Sequence, residues 1–423
     1  MTVAQIRLAS PLKRCLTSIV TVLALVLVAA GCGGASSTPA SGPQPTVTLF
    51  QQGLPSPASL GRLVAGPGGN LYFTLDTGSS SQPPAIGRIT PQGAITLFSR
   101  GLPAGAQLSG LVLGEDGDLW FGLAGLQGNG PAAIGRVTPA GSIRLFSSGL
   151  APGTESLRLV PGPNGDIWFT AGMPIDNILG RITPGGQITT FSPAPPGSGS
   201  GVGLDGLVSG PGGDMWFTAN SSPTETIGRI TASGAVSWFS TPFSSFSLGQ
   251  LVAGPGGLWF TVNGPTSASI GRITPSGTIS QFARGLPSGY VATGLTAGPG
   301  NRLWFALNPR VQTAAPMIGR ITSSGIISVF SRGLPAATAV GGLLPVPGGK
   351  LWFALNRLSA ASFTTLGEIA SDGVITVLQG EIPTISQLTP GRHVLVASGS
   401  DLWFAGVEYG TGTMGIGRMV LDK

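Results

Sequence analysis

The sequence predicts an all-β fold, a β-propeller of eight four-stranded blades. Of its 423 residues, 70 are Gly and 36 are Pro, and this share of turn-forming residues excludes a helix bundle. Hydrophobic residues still make up 41% of the chain, which is enough to form a core and argues against disorder. Apolar segments recur every 43 to 51 residues, and four short strands at such a period are typical of propeller blades.

The first residues of the chain resemble a bacterial export signal. Arg7, Lys13 and Arg14 precede an uncharged stretch from Leu16 to Ala30. This stretch is shorter than the roughly 20 apolar residues that a membrane-spanning helix needs. A basic segment followed by a short apolar one is typical of a secretory signal peptide.

Cys32 follows the small residues Ala-Ala-Gly. This resembles the lipobox of bacterial lipoproteins, in which such a cysteine becomes the lipid-modified first residue. The sequence therefore predicts a signal peptide at 1–31, a lipidated Cys32 with a flexible Gly/Ser/Pro tether at 32–45, and a propeller at 46–423. The expected location is a bacterial cell envelope, outside the cytoplasm and anchored to the membrane through Cys32, and ordinary secretion without a lipid is the alternative.

Three sequence signatures recur in a fixed order in each repeat. An apolar stretch leads into a Gly-Pro turn, as in Leu63–Gly69. A Trp-Phe pair follows (Tyr-Phe in the first repeat), whose Phe residues are Phe73, Phe121, Phe169, Phe217, Phe260, Phe305, Phe353 and Phe404. An Ile-Gly-Arg-Ile-Thr segment then supplies Arg88, Arg136, Arg181, Arg229, Arg272 and Arg320, with Glu368 and Arg418 in two degraded copies. Short β-rich segments bounded by turn residues are interpreted as strands, here the first three of each blade.

The fourth strand of each blade is offset along the chain. Its Thr-x-Phe segment occurs first at Phe50, before any Trp-Phe pair, and none follows the last Ile-Gly-Arg segment at Arg418. The segment from Thr46 to Phe50 is therefore predicted to complete the last blade, which closes the ring without a free strand edge. Seven blades is the alternative, if the degraded unit near His393 or the first unit does not pack as a full blade.

Charge is scarce and is interpreted as structural. Charged residues make up 9% of the chain, against roughly 25% in an average soluble domain. The formal net charge is +6 without a cluster of Lys and Arg, so the sequence indicates no nucleic-acid partner. The recurring arginines are expected to donate to backbone carbonyl groups between blades. Four aspartates that precede Trp-Phe pairs are interpreted as turn residues rather than calcium ligands: Asp118, Asp166, Asp214 and Asp401.

The repeated Gly-Pro-x-Gly-x-Leu-Trp-Phe-Thr followed by Ile-Gly-Arg-Ile-Thr-Pro-x-Gly resembles the virginiamycin B lyase (streptogramin B lyase) family of β-propellers over residues 46–423. The resemblance implies a magnesium-assisted lyase that opens a cyclic depsipeptide at its ester by elimination. It also implies His and Glu residues near the central channel, the His in an innermost strand and the Glu directly after Trp-Phe-Thr.

This chain departs from that pattern at both positions. After Trp-Phe-Thr it has Leu75, Leu123, Ala171, Ala219, Val262, Leu307, Leu355 and Gly406. At the innermost position it has Gly61, Ser109, Leu157, Asp205, Gly249, Thr293, Gly341 and Arg392, and the only histidine, His393, stands one position further on. Elimination needs a base and a metal or electrophile, so no catalytic residue or metal ligand is assigned. No cofactor is predicted, and magnesium is expected only if lyase activity is retained.

Polar exceptions at the inner ends of the first strands are the candidate ligand-binding residues. They are Arg62, Arg158, Asp205, Gln250, Arg392 and His393. We hypothesise a small pocket at the channel mouth that binds a polar or anionic ligand. The sequence thus predicts a lipid-anchored scaffold for a small molecule, peptide or protein, with four variable loops as recognition surface: Thr77–Ala85, Gly125–Ala133, Pro193–Gly203 and Pro309–Pro316. A divergent carbon–oxygen lyase that opens cyclic depsipeptide esters is the alternative.

Overall fold

Eight antiparallel β-sheets follow one another along the chain. The structure, a computed structural model, describes residues 47–56, 58–124, 132–151, 154–172, 178–197, 202–221, 224–244, 247–358, 364–378, 395–407 and 414–421. All of them lie in one compact unit, Pro43–Lys423. Among these residues there is no helix of the length and apolar character needed to span a membrane.

The first four blades each contain four strands in chain order. Blade 1 consists of β2 (Ser59–Ala65), β3 (Leu71–Asp76), β4 (Ala85–Ile89) and β5 (Ile95–Phe98). Blade 2 consists of β6 (Gln107–Leu113), β7 (Leu119–Ala124), β8 (Ala133–Val137) and β9 (Ile143–Phe146). Blade 3 consists of β10 (Glu155–Pro161), β11 (Ile167–Gly172), β12 (Ile178–Ile182) and β13 (Ile188–Phe191). Blade 4 consists of β14 (Gly203–Ser209), β15 (Met215–Ser221), β16 (Thr224–Ile230) and β17 (Val236–Ser244).

The last four blades repeat this order with two variations. The first strand of blade 5 is divided into β18 (Ser247–Leu248) and β19 (Val252–Gly254), followed by β20 (Gly257–Asn263), β21 (Ala268–Ile273) and β22 (Ile279–Phe282). Blade 6 consists of β23 (Tyr290–Gly298), β24 (Arg302–Pro309), β25 (Met317–Ile321) and β26 (Ile327–Phe330). Blade 7 consists of β27 (Thr338–Val346), β28 (Lys350–Arg357), β29 (Thr364–Ala370) and β30 (Ile375–Val377). Blade 8 consists of β31 (Leu395–Ser398), β32 (Asp401–Val407), β33 (Met414–Val420) and the N-terminal β1 (Val47–Phe50).

The eight blades form a closed ring. First strands of consecutive blades contact one another in the order β2, β6, β10, β14, β19, β23, β27 and β31, and β31 contacts β2. The first strands therefore lie innermost, as the sequence predicts. The prediction of eight blades is confirmed, and the alternative of seven is wrong.

The N-terminal strand completes blade 8. Val47 pairs with Met419 and Phe50 pairs with Ile416 in antiparallel register. The Phe50 ring stacks on Trp403 with ring centroids 5.7 Å apart, as the outer-strand Phe does on the Trp of other blades. The two ends of the chain thus share one sheet, which confirms the predicted ring closure from Val47 onward.

The Trp-Phe pairs form the core, and their packing explains the glycine of Ile-Gly-Arg. In blade 6, Trp304 is buried and stacks on Phe330 at 5.9 Å. The next residue, Phe305, lies opposite Gly319, where an added Cβ atom would be 2.2 Å from the aromatic ring. The ring occupies the space that a side chain would need, so only glycine fits this strand position.

The arginines of Ile-Gly-Arg join adjacent blades, as the sequence predicts. Arg320 Nη1 donates to the carbonyl oxygen of Ser371 in blade 7 at 2.6 Å. Arg418 Nη1 donates to the carbonyl oxygen of Pro91 at 2.8 Å, which links blade 8 to blade 1. Each guanidinium also lies over the Trp of its own blade, 5.4 Å from the Trp304 ring in the case of Arg320. The bond to the next blade is also made by Arg88, Arg136, Arg229 and Arg272, whereas Arg181 donates its Nη1 to Asp166 of its own blade.

The aspartates before the Trp-Phe pairs bind the same arginines. Ion pairs join Asp118 to Arg136, Asp166 to Arg181, Asp214 to Arg229 and Asp401 to Arg418. In blade 7 the two charges are exchanged, and Lys350 Nζ lies 2.9 Å from Glu368 Oε1. The interpretation of these aspartates as turn residues therefore missed their main contact, which lies within the blade.

Asparagines at the ends of two second strands hold the following blade. Asn308 Oδ1 accepts the amide of Val340 at 2.8 Å, and its Nδ2 donates to the carbonyl oxygen of Val340 at 2.9 Å. Asn263 binds both backbone groups of Ala292 in the same way, each at 2.9 Å. Each asparagine satisfies two backbone groups of an innermost strand and so fixes its position in the ring.

Candidate functional site

A one-residue bulge in the first strand sets which side chains reach the inside of the ring. The pairing of first and second strands shifts by one residue at this point in blades 1, 2, 3, 4, 6 and 7. Arg62 and Arg158 occupy equivalent positions in the bulges of blades 1 and 3, whereas blades 2 and 4 have Gly110 and Gly206 there with positive φ. A Cβ atom on Gly110 would lie 2.8 Å from the carbonyl oxygen of Leu157 in the next blade. The chain therefore alternates long polar side chains with glycines that let neighbouring first strands approach closely.

Arg62, Arg158 and Asp205 form a charged cluster on these strands. Arg158 Nη1 donates to Asp205 Oδ1, which joins blade 3 to blade 4. Asp205 Oδ1 also accepts the amide of Gly206 at 2.7 Å. Burial lowers the pKa of Arg62, and the nearby positive charge of Arg158 lowers that pKa further. Three of the six predicted residues thus come together.

No hydrogen bond joins the side chain of Arg62 to any residue that the structure describes. Its Nε is buried and has no partner within the described part of the chain. Four arginines of Ile-Gly-Arg share a buried Nε without a partner, namely Arg88, Arg181, Arg229 and Arg272. Unlike Arg62, each of them donates through Nη1, to Asp166 in the case of Arg181 and to a carbonyl oxygen of the next blade in the other three. A buried guanidinium has donors in a fixed planar arrangement that matches a carboxylate, a phosphate or a carbonyl group. The cluster can therefore bind an oxygen-rich group of a ligand by donating hydrogen bonds to it.

Glu225 extends the cluster toward blade 5 and was not among the residues predicted from the sequence. Its Oε2 accepts the amide of Leu248 at 2.6 Å. Burial raises the pKa of the Glu225 carboxyl, the hydrogen bond from Leu248 lowers it, and the negative charge of Asp205 raises it. The sequence does distinguish Glu225, because the corresponding positions before the Ile-Gly-Arg segments of the other blades carry no charged residue.

The remaining predicted residues do not join the cluster. Gln250 is exposed and makes no hydrogen bond with the cluster among the residues that the structure describes. Arg392 and His393 lie outside the described residues, as does Cys32.

The turn between the first two strands is shorter in blade 8 than in blade 1. Val396 pairs with Trp403 in blade 8, and Val252 pairs with Trp259 in blade 5. The corresponding pair in blade 1, Val64 with Tyr72, encloses one residue more. An alignment that assumes a constant turn length is therefore wrong by one residue in blade 8.

This difference changes which residue of the sequence corresponds to the innermost histidine position. Counted back from Leu395, which pairs with Phe404, His393 corresponds to Gly249 of blade 5. The prediction from the sequence assigns Arg392 to that position, because it gives blade 8 the longer spacing of blade 1 instead of the shorter spacing of blade 5. His393 itself lies outside the described residues, so this correspondence rests on the count along the sequence from Leu395.

The position that the resemblance assigns to a glutamate is apolar and buried. Leu75, Leu123, Leu307 and Leu355 are each at most 1% exposed. Within the described residues, no three His, Cys, Asp or Glu side chains are grouped so that they could hold a metal ion. The described residues therefore do not fit a magnesium site of the kind that the resemblance implies.

Fold and site together define an eight-bladed β-propeller that is closed by its N-terminal strand and has a charged cluster on its innermost strands. Residues 105–411 match the virginiamycin B lyase family. The chain belongs to this family, as the repeat motifs indicate.

Solved structures show the same relationship. The chain is 25% identical to a catalytically inactive histidine-to-alanine variant of virginiamycin B lyase from Staphylococcus aureus with quinupristin, over 75% of this chain and 96% of that chain, with a TM-score of 0.52. It is also 25% identical to a streptogramin B lyase, over 74% of this chain and 93% of that chain, with a TM-score of 0.51. Prolyl oligopeptidase B from Galerina marginata, at 9% identity and a TM-score of 0.52 over 84% of this chain and 56% of that chain, shares the fold alone. The comparison with curated proteins found no match.

Proposed function

We propose that this protein is a binding module that holds an anionic group of its ligand at the cluster of Arg62, Arg158 and Asp205. The observation that carries the proposal is that the side chain of Arg62 has neither an ion pair nor a hydrogen bond among the described residues, while burial and the positive charge of Arg158 lower its pKa. Two neighbouring cations repel each other, so a bound anion relieves the repulsion as well as satisfying the donors.

The family relationship supports the scaffold and leaves the ligand open. Propeller folds serve many functions, so the ligand must be inferred from the site itself. Loops of uneven length between strands that are otherwise constant offer a second recognition surface for a small molecule, peptide or protein.

Arg62→Ala and Arg158→Ala test this proposal, with pyrophosphate and citrate as probes in thermal-shift and calorimetric titrations. We expect each variant to bind the preferred anion at least roughly tenfold more weakly, because a hydrogen bond to a charged group is lost. Arg144→Ala is the matched control, since Arg144 is exposed on the outer strand β9 and should not affect binding. Wild-type affinity in both channel variants would contradict the proposal.

The second candidate function is a carbon–oxygen lyase that opens a cyclic depsipeptide ester. Two observations favour it: the family match and the alignment of His393 with the innermost histidine position, given that a histidine-to-alanine change accompanies inactivity in the Staphylococcus aureus enzyme. A neutral imidazole can remove a proton next to an ester, which is the first requirement of an elimination.

Incubation with quinupristin, with and without magnesium, separates the two functions. Elimination would give a linear product of unchanged mass with a new alkene and a carboxylate, whereas hydrolysis would add one water. The binding-module proposal expects neither product. Ring opening that disappears in His393→Ala would establish the lyase instead.

We also propose that Cys32 carries a lipid that anchors the protein outside the cytoplasm. The small residues before Cys32 and the apolar stretch from Leu16 to Ala30 support this. In a bacterial host, Cys32→Ser should move the protein from the membrane fraction to the soluble fraction. A membrane fraction that is unchanged by this substitution would contradict the anchor.

A further inference from the structure

Among the described residues, the exposed large hydrophobic side chains all lie in three consecutive blades. All seven in the described part of the chain lie in blades 6, 7 and 8. Four of them form what we call the apolar rim: Ile326 of blade 6 (66% exposed), Val374 of blade 7 (60%), and Val420 and Val47 of blade 8 (44% and 36%).

The strand register places these four residues at the same face of the ring. Ile326 and Val374 occupy equivalent turns between third and fourth strands, directly before Ile327 and Ile375. Val47 is the equivalent of these two isoleucines, because it opens the outer strand of blade 8 opposite Met419. The turns with Ile326 and Val374 and the strand ends with Val47 and Val420 therefore lie along one edge of three consecutive blades.

The other five blades lack this feature. Their equivalent turn residues are small or polar, and all are exposed: Ala94, Ser142, Gln187, Ala235 and Thr278. Neither the fold nor the turn requires a large apolar side chain at this position. The apolar rim thus represents a departure from the repeat that packing does not explain.

Positive charge lies at the same face in the same blades. The position that holds Asp118, Asp166 and Asp214 in blades 2 to 4 holds Arg302 in blade 6 and Lys350 in blade 7. Lys350 is paired with Glu368. Arg302 lies near Arg320, and the pKa of Arg320 is lowered mainly by burial and further by the positive charge of Arg302. Asp372 adds one negative charge beside Val374, whose amide it accepts through Oδ1. Apolar side chains at the same face as a cation that forms no ion pair with the described residues match the interface of a lipid bilayer.

The chain enters the propeller at this face. Val47 follows directly on the segment 33–46, which connects it to Cys32. A Gly/Ser-rich segment of this length has a root-mean-square span of about 20 Å. A lipid on Cys32 would therefore keep the face that contains Val47 close to the bilayer.

We propose that the apolar rim rests on the lipid surface and orients the propeller on the membrane. This inference rests on the proposed anchor at Cys32 and adds a defined second contact, of the kind that peripheral proteins combine with a lipid chain. The loops between second and third strands lie at the opposite ends of the strands, so this orientation leaves the variable loops Thr77–Ala85 and Pro309–Pro316 facing away from the bilayer.

Fluorescence from single introduced cysteines tests the orientation in the full-length lipidated chain. Val374→Cys is the probe position, and Gln187→Cys in the equivalent turn of blade 3 is the matched control. Each is labelled with an environment-sensitive dye and reconstituted into phosphatidylcholine vesicles, with and without phosphatidylglycerol and with brominated lipid as quencher. We expect a blue shift and at least twofold stronger quenching at Val374→Cys than at Gln187→Cys.

The outcomes separate the rim from the anchor. Flotation of the labelled protein with vesicles, lost in Cys32→Ser, establishes the anchor, and equal quenching at both positions then overturns the rim alone. A chain that does not float overturns both proposals. A blue shift in native membranes but not in vesicles would mean that a protein covers the rim, which also overturns the lipid contact. Replacement of both Ile326 and Val374 by Ser should leave folding intact, because both are exposed. In this background, a dye at Val420→Cys should be quenched no more strongly than a dye at Gln187→Cys.

Discussion

The sign of the charge on the proposed ligand can be determined with a variant of Asp205, the negative member of the charged cluster. Asp205→Asn keeps an oxygen that can accept the amide of Gly206 and removes the negative charge beside Arg158. If the site holds an anion, this change should strengthen binding. A ligand held through a cationic group would instead bind more weakly.

The expected magnitudes follow from the exposure of the pair. The side chains of Arg158 and Asp205 are 59% and 67% exposed, so their ion pair contributes less than about 1 kcal/mol to the free energy of unfolding. A unit charge about 6 Å from a bound anion, at an effective dielectric constant of about 40 to 80, repels it by about 0.7 to 1.4 kcal/mol. Removing that charge should therefore tighten anion binding by roughly three- to tenfold at low ionic strength.

Calorimetric titration with pyrophosphate at low and high salt provides the assay. Asp214→Asn is the control, since Asp214 pairs with Arg229 away from the innermost strands. The reasoning is refuted if Asp205→Asn weakens anion binding, or if Asp214→Asn changes it by the same factor.

Three further predictions concern the scaffold. Asn308→Ala removes two hydrogen bonds to the next blade, so the free energy of unfolding in urea should fall by about 2 kcal/mol, and an unchanged value would mean that this clamp contributes nothing. Because burial raises the pKa of Glu225 above its unfolded value, its stabilising contribution is present below the unfolded pKa and is lost as pH rises through the folded pKa. Glu225→Gln, which can still accept from Leu248, should therefore match the wild-type melting temperature at low pH and exceed it at neutral pH, and the reverse order would exclude burial as the cause. Gly319→Ala would put a methyl group into the Phe305 ring and should lower the melting temperature more than Asn308→Ala does, so an unchanged melting temperature would refute the packing argument.

The repeat allowed the architecture to be predicted because each signature has a local physical reason. The glycine of Ile-Gly-Arg faces an aromatic ring, as Gly319 faces Phe305, and the arginine bridges to the next blade, as Arg320 does. Such contacts recur with the period of the sequence. Ring closure followed from counting segments, and the pairing of Val47 with Met419 confirms it.

The site was harder to predict because its contacts do not follow the period. Arg158 binds Asp205 across a blade boundary, from a different position of the bulge. Glu225 reaches Leu248 of the next blade from a third strand. A turn shorter by one residue in blade 8 changes the residue that corresponds to Gly249. Contacts between blades depend on such local irregularities, which a fixed spacing cannot represent.

The exchanged pair in blade 7 helps to distinguish scaffold from function. Lys350 and Glu368 preserve the ion pair although both charges are reversed, which is expected where only the attraction between the two side chains matters. Arg62 has no compensating acidic partner among the described residues, and the equivalent position in blade 2 is Gly110. Packing therefore tolerates glycine at this position and does not require an arginine. A buried cation that the scaffold does not need costs free energy unless a ligand binds it, and for this reason we propose the innermost strands as the ligand-binding site.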